Sequence, residues 1–556
     1  MHLAGELFRE AILNAEEQHR KDFLKLIKKE LRELIETDVF KTTSRNVYRV
    51  KADFPVIPKD AVYNCNIPCF LNKEERETFS VLFQAVRFYG LLHDLGHPPF
   101  SHVTESALAT LFEKVKDKKQ PTKREKAFLK ILYSYSTGPD QKQLHEIAST
   151  DLVKEVFEKV INTTEGEVAK FRLLIQLVVL HIIDIKSPFL GLMHNLVDGD
   201  LDADRLDFTS RDLVSTGLGK SLGHERIVNT FTLCQDKKQQ FHLLPSIRSL
   251  YSIETFFSSR FDLYRFGVFH HRVRKFDGLF KEAIMGVASA HLERKEAPTI
   301  PKDNLLTKDI SGLWHVLSYA CKSNAPDKVA EYYSQWDDAW LLNILRQEYF
   351  SGNPGQILKA QLEEILSNKK HYWPLFKRPE CFATVDAEFL KYGKKMFVDN
   401  DDFWKSFKAT SQERMAELRT LAEGYTIPPS SSLPSEFFLT ILIQEMVDVA
   451  AQFVRSAIAR LWNDPGLHLD HAFFVEKVLK SGIKDLKVLT EEGPQDIGKV
   501  SNIQLALETD AKLFPPFFVF ILPKPGSDPN INLIRKRFGK YLFEEFERQL
   551  TLKASN

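Results

Sequence analysis

The chain has 556 residues, 43% of them hydrophobic and 27% charged, enough to bury a core spread over roughly two to four domains. Its net charge of +1 excludes a bulk attraction to nucleic acid or to membranes, although local basic patches remain compatible with it. Five cysteines without a CxxC pair, no visible signal peptide and no apolar run long enough to cross a bilayer predict a cytoplasmic protein with reduced thiols.

Helical periodicity dominates the first half of the chain. Apolar residues recur at three- and four-residue spacing over 3–36 and again from Lys73 to about His93. Between them, the prolines and alternating apolar residues of 42–70 predict a loop or a short hairpin. Further helices are predicted over 126–135, 143–160, 168–185 and 246–292, and less clearly over 311–370 and 435–463.

The texture changes beyond about residue 480. Short apolar runs at Val488–Leu489, Ile503–Leu507 and Phe517–Leu522 alternate with prolines, which predicts strands in a small mixed α/β region. The predicted fold is therefore mainly α. Its predicted division is a core over 1–300, a helical extension over 301–480 and the mixed C-terminal region over 481–556.

The chemistry is concentrated in the stretch from Leu91 to His102, which reads LLHDLGHPPFSH. Three histidines and one aspartate follow an apolar helical run, and Gly96 with Pro98 and Pro99 predicts a turn at the helix end. Imidazole and carboxylate together can hold a divalent metal with an activated water, so the pattern favours a metal-dependent hydrolase.

One histidine and one aspartate do not complete a metal site, and the candidate source of more carboxylate is the segment 198–212. It contains six aspartates. Its alternative interpretation is an acidic first helical turn, which the helix dipole favours. Its combination with the histidine cluster makes metal ligation the better hypothesis.

Two further groups suit catalysis and phosphate binding. Glu105 follows His102 by three residues, so on a helix the two side chains can meet as a proton-transfer pair. His145 and Glu146 repeat the pairing, where a structural role is the alternative. A cationic helical face suits phosphate, unless it is only a solvated surface; it comprises Arg260, Arg265, Arg272 and Arg274 with His270 and His271.

These motifs resemble a known family. His93-Asp94 with a distant aspartate is similar to the H…HD…D signature of HD-domain phosphohydrolases. The fuller strings HDLGHPPFSH, DADRLDF and FHHRV resemble the dGTPase-like branch, the deoxynucleoside triphosphate (dNTP) triphosphohydrolases, over about residues 1–380. The resemblance implies an HD-domain helical core and cleavage of a dNTP into deoxynucleoside and tripolyphosphate.

The resemblance also implies roles for individual residues. The implied metal ligands are His93, Asp94 and Asp204, for a divalent ion such as Mn, Mg, Fe, Ni or Zn. The implied catalytic residues are the pair His102 and Glu105, with His97 and His145 lining the same pocket. The predicted substrate contacts are Arg205, Phe208, Asp212, Arg260, Arg265 and His270.

Two departures from the family pattern matter. The family's first metal-ligating histidine precedes a Leu-Ala-Gly string, which here stands at Leu3–Gly5, so that histidine would fall just upstream of Met1. The hypothesis is an N-terminal truncation; the alternatives are a natural variant completed by water or by His2, and a His2 that is only a surface residue. In addition, Phe208 stands where the family usually has tyrosine, which removes one hydrogen bond to the sugar.

Family members are usually oligomers, and several are regulated by nucleotides at subunit contacts. The resemblance therefore implies a homo-oligomer, with dNTPs as substrates and as candidate allosteric activators. Two other functions stay open: an HD phosphohydrolase that acts on another nucleotide phosphate ester, and a nucleotide-binding regulatory protein with an incomplete metal site.

Overall fold

The structure is a computed structural model. It describes residues 1–46, 49, 51–136, 143–162, 164–219, 222–295, 306–320, 331–399, 418–423, 437–445, 447–476 and 478–554. Within these ranges the chain is mainly α, as predicted, with seven short strands. No helix in the described part is long and apolar enough to span a membrane. The four cysteines described there are not disulfide-bonded.

Helices alternate with short connections along the described chain. The helices are His2–Leu13, Glu17–Ile35, Asp38–Asn46, Ala61–Asn64, Lys73–Leu92, His102–Lys116, Lys123–Ser136, Leu144–Asn162, Gly166–Ile183, Pro188–His194, Ala203–Ser215, His224–Asn229, Leu250–Asp262, His271–Leu292, Gly312–Ala320, Asp338–Ser351, Gln356–Ser367, Pro379–Asp399, Phe438–Glu445, Val447–Asn463, Ile503–Ala511 and Ile531–Ala554. The strands are Phe231–Gln235, Phe241–Pro245, Trp373–Pro374, Leu469–Glu476, Lys487–Thr490, Gly493–Asp496 and Phe517–Pro523.

The chain forms two compact units, each assembled from discontinuous segments. The first unit contains Met1–Leu263, Val287–Ile344 and Gly482–Ile503, and the second contains Tyr264–Gly286, Leu345–Ser481 and Gln504–Asn556. This division differs from the three consecutive regions predicted from the sequence. One reason is that the predicted C-terminal region 481–556 is shared: its strand pair Lys487–Thr490 and Gly493–Asp496 belongs to the first unit, and Gln504–Asn556 belongs to the second.

The first unit is built around the helix Lys73–Leu92. Asn72 caps this helix: its side chain accepts a hydrogen bond from the Glu75 amide at 3.0 Å, and the Glu75 carboxylate accepts one from the Asn72 amide at 2.9 Å. Its apolar side chains are buried on most faces, against the helices His2–Leu13, Glu17–Ile35 and Gly166–Ile183. A central, buried helix of this kind holds the histidines at its C-terminal end in a fixed place.

The second unit combines a small sheet with an aromatic helical core. The strand Phe517–Pro523 lies between Trp373–Pro374 and Leu469–Glu476, and both pairings are antiparallel. The helices Pro379–Asp399, Val447–Asn463 and Ile531–Ala554 pack together. Their core is rich in phenylalanine, including Phe389, Phe397, Phe438, Phe543 and Phe546.

Most predicted elements are confirmed, and one strand is wrong. The predicted strands at Val488–Leu489 and Phe517–Leu522 are present, but Ile503–Leu507 belongs to a helix that continues to Ala511. The segment Ile503–Leu507 is too short for its periodicity to distinguish a strand from a helix. The alternation at Val47, Tyr48 and Val50 lies outside the described residues.

Candidate functional site

The turn after the helix Lys73–Leu92 delivers His102 to the start of the next helix. Phe100 and Ser101 both adopt positive φ, at 57° and 51°, a region that disfavours non-glycine residues. The Phe100 amide donates a hydrogen bond to Oδ1 of Asp338 at 2.7 Å. The turn is thus held by a contact to a distant helix, and His102 opens the helix His102–Lys116.

All four predicted catalytic side chains converge in one cluster. Glu105 accepts hydrogen bonds from Nδ1 of His102 at 2.9 Å and from Nδ1 of His145 at 2.8 Å. His97 completes the group, and ligand atoms of all four residues lie within 4.8 Å of one another. The His102 side chain is 62% exposed and the Glu105 side chain 11%, so a buried carboxylate orients an accessible imidazole. We call these four residues the histidine cluster.

Gly96 allows His145 to reach the cluster. A Cβ at Gly96 would lie 2.4 Å from the His145 carbonyl oxygen and 2.4 Å from the Ser149 amide nitrogen. The Gly96 amide also donates a hydrogen bond to Oγ of Ser149 at 2.8 Å. Only a glycine permits this approach, so the turn and the helix Leu144–Asn162 are locked together.

The cluster shifts the pKa values of its members in opposite directions. Burial alone would raise the pKa of Glu105, but the hydrogen bonds from His102 and His145 hold it far below its usual value. Burial opposes protonation of His145, yet its hydrogen bond to Glu105 raises its pKa above the ordinary value. For His97, burial and the neighbouring His145 lower the pKa to about 4. At neutral pH the cluster therefore holds an ionised Glu105 and a neutral His97.

His93 and Asp94 line a cavity of about 480 Å³ beside the cluster. Nε2 of His93 lies 3.5 Å from the Asp94 carboxylate, and Nε2 of His97 lies 3.8 Å from it. Nδ1 of His93 is buried and has no hydrogen-bond partner among the described residues. A buried imidazole nitrogen without a partner, next to a carboxylate, fits a transition-metal ligand.

Asp204 lies within electrostatic reach of this pair. It occupies the first turn of the helix Ala203–Ser215. Burial raises the pKa of Asp204, His93 lowers it, and the negative charge of Asp94 raises it further. The two sequence-distant segments therefore approach each other, and the residues present offer the mixed nitrogen and oxygen donors that a divalent ion takes.

Arg205 and Arg260 both contact Gly482. Nη1 of Arg205 donates hydrogen bonds to the Asp200 carbonyl at 3.0 Å and to the Gly482 carbonyl at 3.4 Å. A Cβ at Gly482, where φ is +80°, would lie 2.1 Å from Nη1 of Arg260. We call Arg205 and Arg260 the arginine pair. Gly482 holds the two guanidinium groups close together.

The loop that carries Gly482 is fixed by Asp200. The backbone amides of Lys484 and Asp485 donate hydrogen bonds to Oδ2 of Asp200 at 2.7 and 2.6 Å. Asp202 caps the following helix by accepting from the Arg205 amide at 2.6 Å. Asp202 is thus the N-cap of the helix and Asp204 the acidic residue of its first turn, as the alternative predicted, whereas Asp200 binds a loop.

The remaining predicted substrate residues fall into two groups. Phe208 is half-buried on the helix that carries Asp204, and the Asp212 side chain is 49% exposed, 3.7 Å from Nε of Arg211. Arg265 and His270 belong to the second unit. There Arg265 lies 3.8 Å from Asp510, and His270 packs on His271.

The cavity beside His93 also contains two ring side chains that the sequence-based site missed, Tyr89 and His194. Glu146 and Asp198, which the sequence analysis considered only as part of a His-Glu pair and of the aspartate segment, line it too. The Tyr89 ring packs against the rings of His93 and His194, with centroid distances of 5.8 and 5.5 Å. The signal available in the sequence was the four-residue spacing of His194 and Asp198, just before DADRLDF.

A second, largely apolar cavity of about 590 Å³ adjoins His102 and Glu105. It lies between the helices His102–Lys116 and Lys123–Ser136, with Phe112 and Leu132 in its wall. His102 thus has an accessible side that opens onto space large enough for a small organic group.

No known family profile matches the chain. A protein of Mycoplasma genitalium is 28% identical over 204 residues, which cover 36% of this chain and 39% of that protein. An HD domain-containing protein of Acanthamoeba polyphaga mimivirus is 23% identical over 206 residues, 36% of this chain and 37% of its own length.

The chain spans about half the length, or less, of the curated relatives it matches, between 37% and 54%. Among solved structures, a phosphohydrolase from Bacteroides thetaiotaomicron aligns with a TM-score of 0.40 and 16% identity over 80% of each chain.

Proposed function

We propose that the protein is a metal-dependent phosphohydrolase of the HD type that acts on nucleotides. The observation that carries the proposal is the histidine cluster next to the His93–Asp94 pair. A buried Glu105 orients an exposed His102, as a proton-transfer residue requires. The similarity to an HD domain-containing viral protein supports the same class.

Within that class, we propose a dNTP triphosphohydrolase that releases deoxynucleoside and tripolyphosphate. The support is the arginine pair at Gly482, because two guanidinium groups held together suit a chain of phosphates. The apolar cavity beside His102 supplies room for a departing nucleoside. The motifs shared with the dGTPase-like branch favour this substrate over other phosphate esters. Homo-oligomerisation and activation by dNTPs stay predictions.

The chain's own residues divide the chemical work. His93, Asp94 and Asp204 would hold a divalent ion, which when bound supplies a Lewis acid and a water of lowered pKa. Arg205 and Arg260 neutralise the triphosphate. His102, oriented by Glu105, donates the proton that the departing sugar oxygen needs. His97, whose pKa lies near 4, is neutral at pH 7 and adds no positive charge beside His102.

The test is a product analysis. The protein is incubated with each dNTP, singly and in mixtures, with Mn²⁺ or Mg²⁺, and the phosphate product is identified by ³¹P NMR. Tripolyphosphate with free deoxynucleoside is the expected result. Orthophosphate or pyrophosphate instead would point to an HD enzyme for another phosphate ester. Tight dNTP binding without turnover at any metal content would reject the enzyme and favour a regulatory nucleotide-binding protein.

A further inference from the structure

The second unit contains a cavity of about 740 Å³ that the proposed function does not use. Three segments line it: the start of the helix His271–Leu292, the stretch 370–381, and the first turn of the helix Ile531–Ala554. All three belong to the same compact unit of one chain. The cavity is therefore complete without the histidine cluster or the arginine pair.

Its wall is strongly and unevenly basic. Among the described residues that line it, none is acidic. The Lys275 ammonium is neutralised by the buried Glu364, and Nε of Arg535 donates to the Leu375 carbonyl at 2.7 Å. Arg272, Lys370 and Lys377 differ: none of them has an acidic partner in the part of the chain that the structure describes. Three exposed cations without an acidic partner among the described residues thus line one cavity, which gives it a positive potential that attracts anions.

The state of His271 reports the same positive potential. Burial, the neighbouring His270 and the charges of Lys377, Lys275 and Arg272 together lower the pKa of the His271 imidazole to about 4. A neutral His271 adds a hydrogen-bonding group without adding charge. Bound anions would oppose the neighbouring cations and restore part of its basicity.

The cavity also offers an aromatic surface. Trp373 lies in the edge strand Trp373–Pro374, and 42% of it is exposed. Tyr372, beside it, is almost fully buried and fixes the backbone of this strand through the Glu364 carboxylate, which accepts from the Tyr372 amide at 2.8 Å. The cations of this wall suit an anion, and the fixed, half-exposed indole of Trp373 offers a surface on which a planar ring attached to that anion could stack.

We propose that this cavity is a second ligand site, for a linear polyphosphate, either free or carried by a nucleotide. Several adjacent phosphates can meet Arg272, Lys370 and Lys377 at once, whereas a single phosphate reaches fewer of them. The 740 Å³ volume exceeds what one phosphate fills and matches a ligand of nucleotide size. The site stands whether or not the protein hydrolyses dNTPs.

The experiment measures tripolyphosphate binding to the full chain by isothermal titration calorimetry and by the fluorescence of Trp373, at constant ionic strength. The paired variant Arg272→Ala/Lys377→Ala removes two exposed cations. We expect at least about a tenfold loss of affinity, as for two lost charge-assisted contacts. The control Lys394→Ala/Lys395→Ala removes the same charge from exposed positions of this unit outside the cavity and should change Kd less than about twofold.

Further arms identify the source of the ligand and separate this proposal from the catalytic one. Orthophosphate should bind much more weakly than tripolyphosphate; ATP tighter than tripolyphosphate would identify a nucleotide, and equal affinity a free polyphosphate. His102→Ala should keep the binding, and Trp373→Phe should remove the fluorescence change only. Equal affinity of the parent and Arg272→Ala/Lys377→Ala, equal binding of orthophosphate, or no binding at all would overturn the proposal.

Discussion

The histidine cluster and the arginine pair are assembled in opposite ways. The cluster takes His97, His102 and Glu105 from nine consecutive residues and adds one histidine 40 residues beyond Glu105. The arginine pair depends on Gly482, which is 277 residues from Arg205. The first region is specified by local spacing, and the second by a loop that no local pattern connects to it. Loss of one side chain should therefore abolish the first function but only loosen the second.

The largest expected effect is that of His102→Ala. Removal of the proposed proton donor should lower kcat by about 1,000-fold, with bound metal largely retained. Steady-state kinetics and metal analysis check this. The matched control is His242→Ala, because His242 also contacts a carboxylate, Asp236, at 3.1 Å but lies outside the cavities that adjoin the cluster. Normal turnover in His102→Ala would remove this residue from the mechanism.

Glu105→Gln tests whether the cluster stabilises the fold. Without the negative charge of Glu105, its hydrogen bonds from His102 and His145 weaken, which should lower the free energy of unfolding by about 2 kcal/mol. In the parent, the depressed pKa of Glu105 stabilises the protein above pH 4.5 and less as pH falls, whereas the raised pKa of His145 stabilises it below pH 6.5 and less as pH rises.

In the parent, Glu105 and His145 should therefore contribute most to the free energy of unfolding between pH 4.5 and pH 6.5. Urea unfolding from pH 2 to pH 8 measures both limbs. In Glu105→Gln both limbs should flatten. A variant that keeps the pH dependence of the parent would show that other groups produce it.

Gly482→Ala tests whether the close approach at Gly482 positions the arginine pair. The added Cβ displaces the Arg260 guanidinium and strains a residue at φ +80°. KM should rise about tenfold, the value of one charge-assisted contact, with kcat little changed. Gly493→Ala is the control: its φ is +105°, but no atom lies within 4 Å of its Cβ, so it adds the strain without touching an arginine. An equal rise of KM in both variants would mean that strain alone acts.

Asp200→Ala should have the smallest effect. It removes the acceptor of the Lys484 and Asp485 amides and a carboxylate oxygen 3.5 Å from Nη1 of Arg205, but Arg205 keeps the carbonyl of residue 200. We expect about a threefold rise in KM and about 1 kcal/mol of lost stability. Asp496→Ala, which removes a helix-cap aspartate without a side-chain hydrogen bond, is the control. An effect as large as that of Gly482→Ala would show that the whole loop, rather than Gly482, positions the arginines.

The same contrast explains what could be predicted from the sequence. The helix Lys73–Leu92, with its Asn72 cap, follows from periodicity and from side chains three residues apart, and so does the contact of His102 with Glu105. The role of Asp200 could not be predicted, because its partners are two backbone amides nearly 300 residues away. Arg265 and His270 share a predicted helical face with Arg260, yet the chain divides between compact units immediately after Leu263. Local spacing cannot reveal that division.

The positive φ angles of Phe100 and Ser101 set thermal stability against the orientation of His102. Each of these non-glycine residues costs about 1 kcal/mol or more in its backbone geometry, and together they aim the helix that begins at His102. Glycine at either position would relieve the distortion and give a more heat-tolerant protein. It would also leave the His102 imidazole less firmly oriented. If His102 is the proton donor, a protein with a more heat-stable turn would therefore turn over its substrate more slowly.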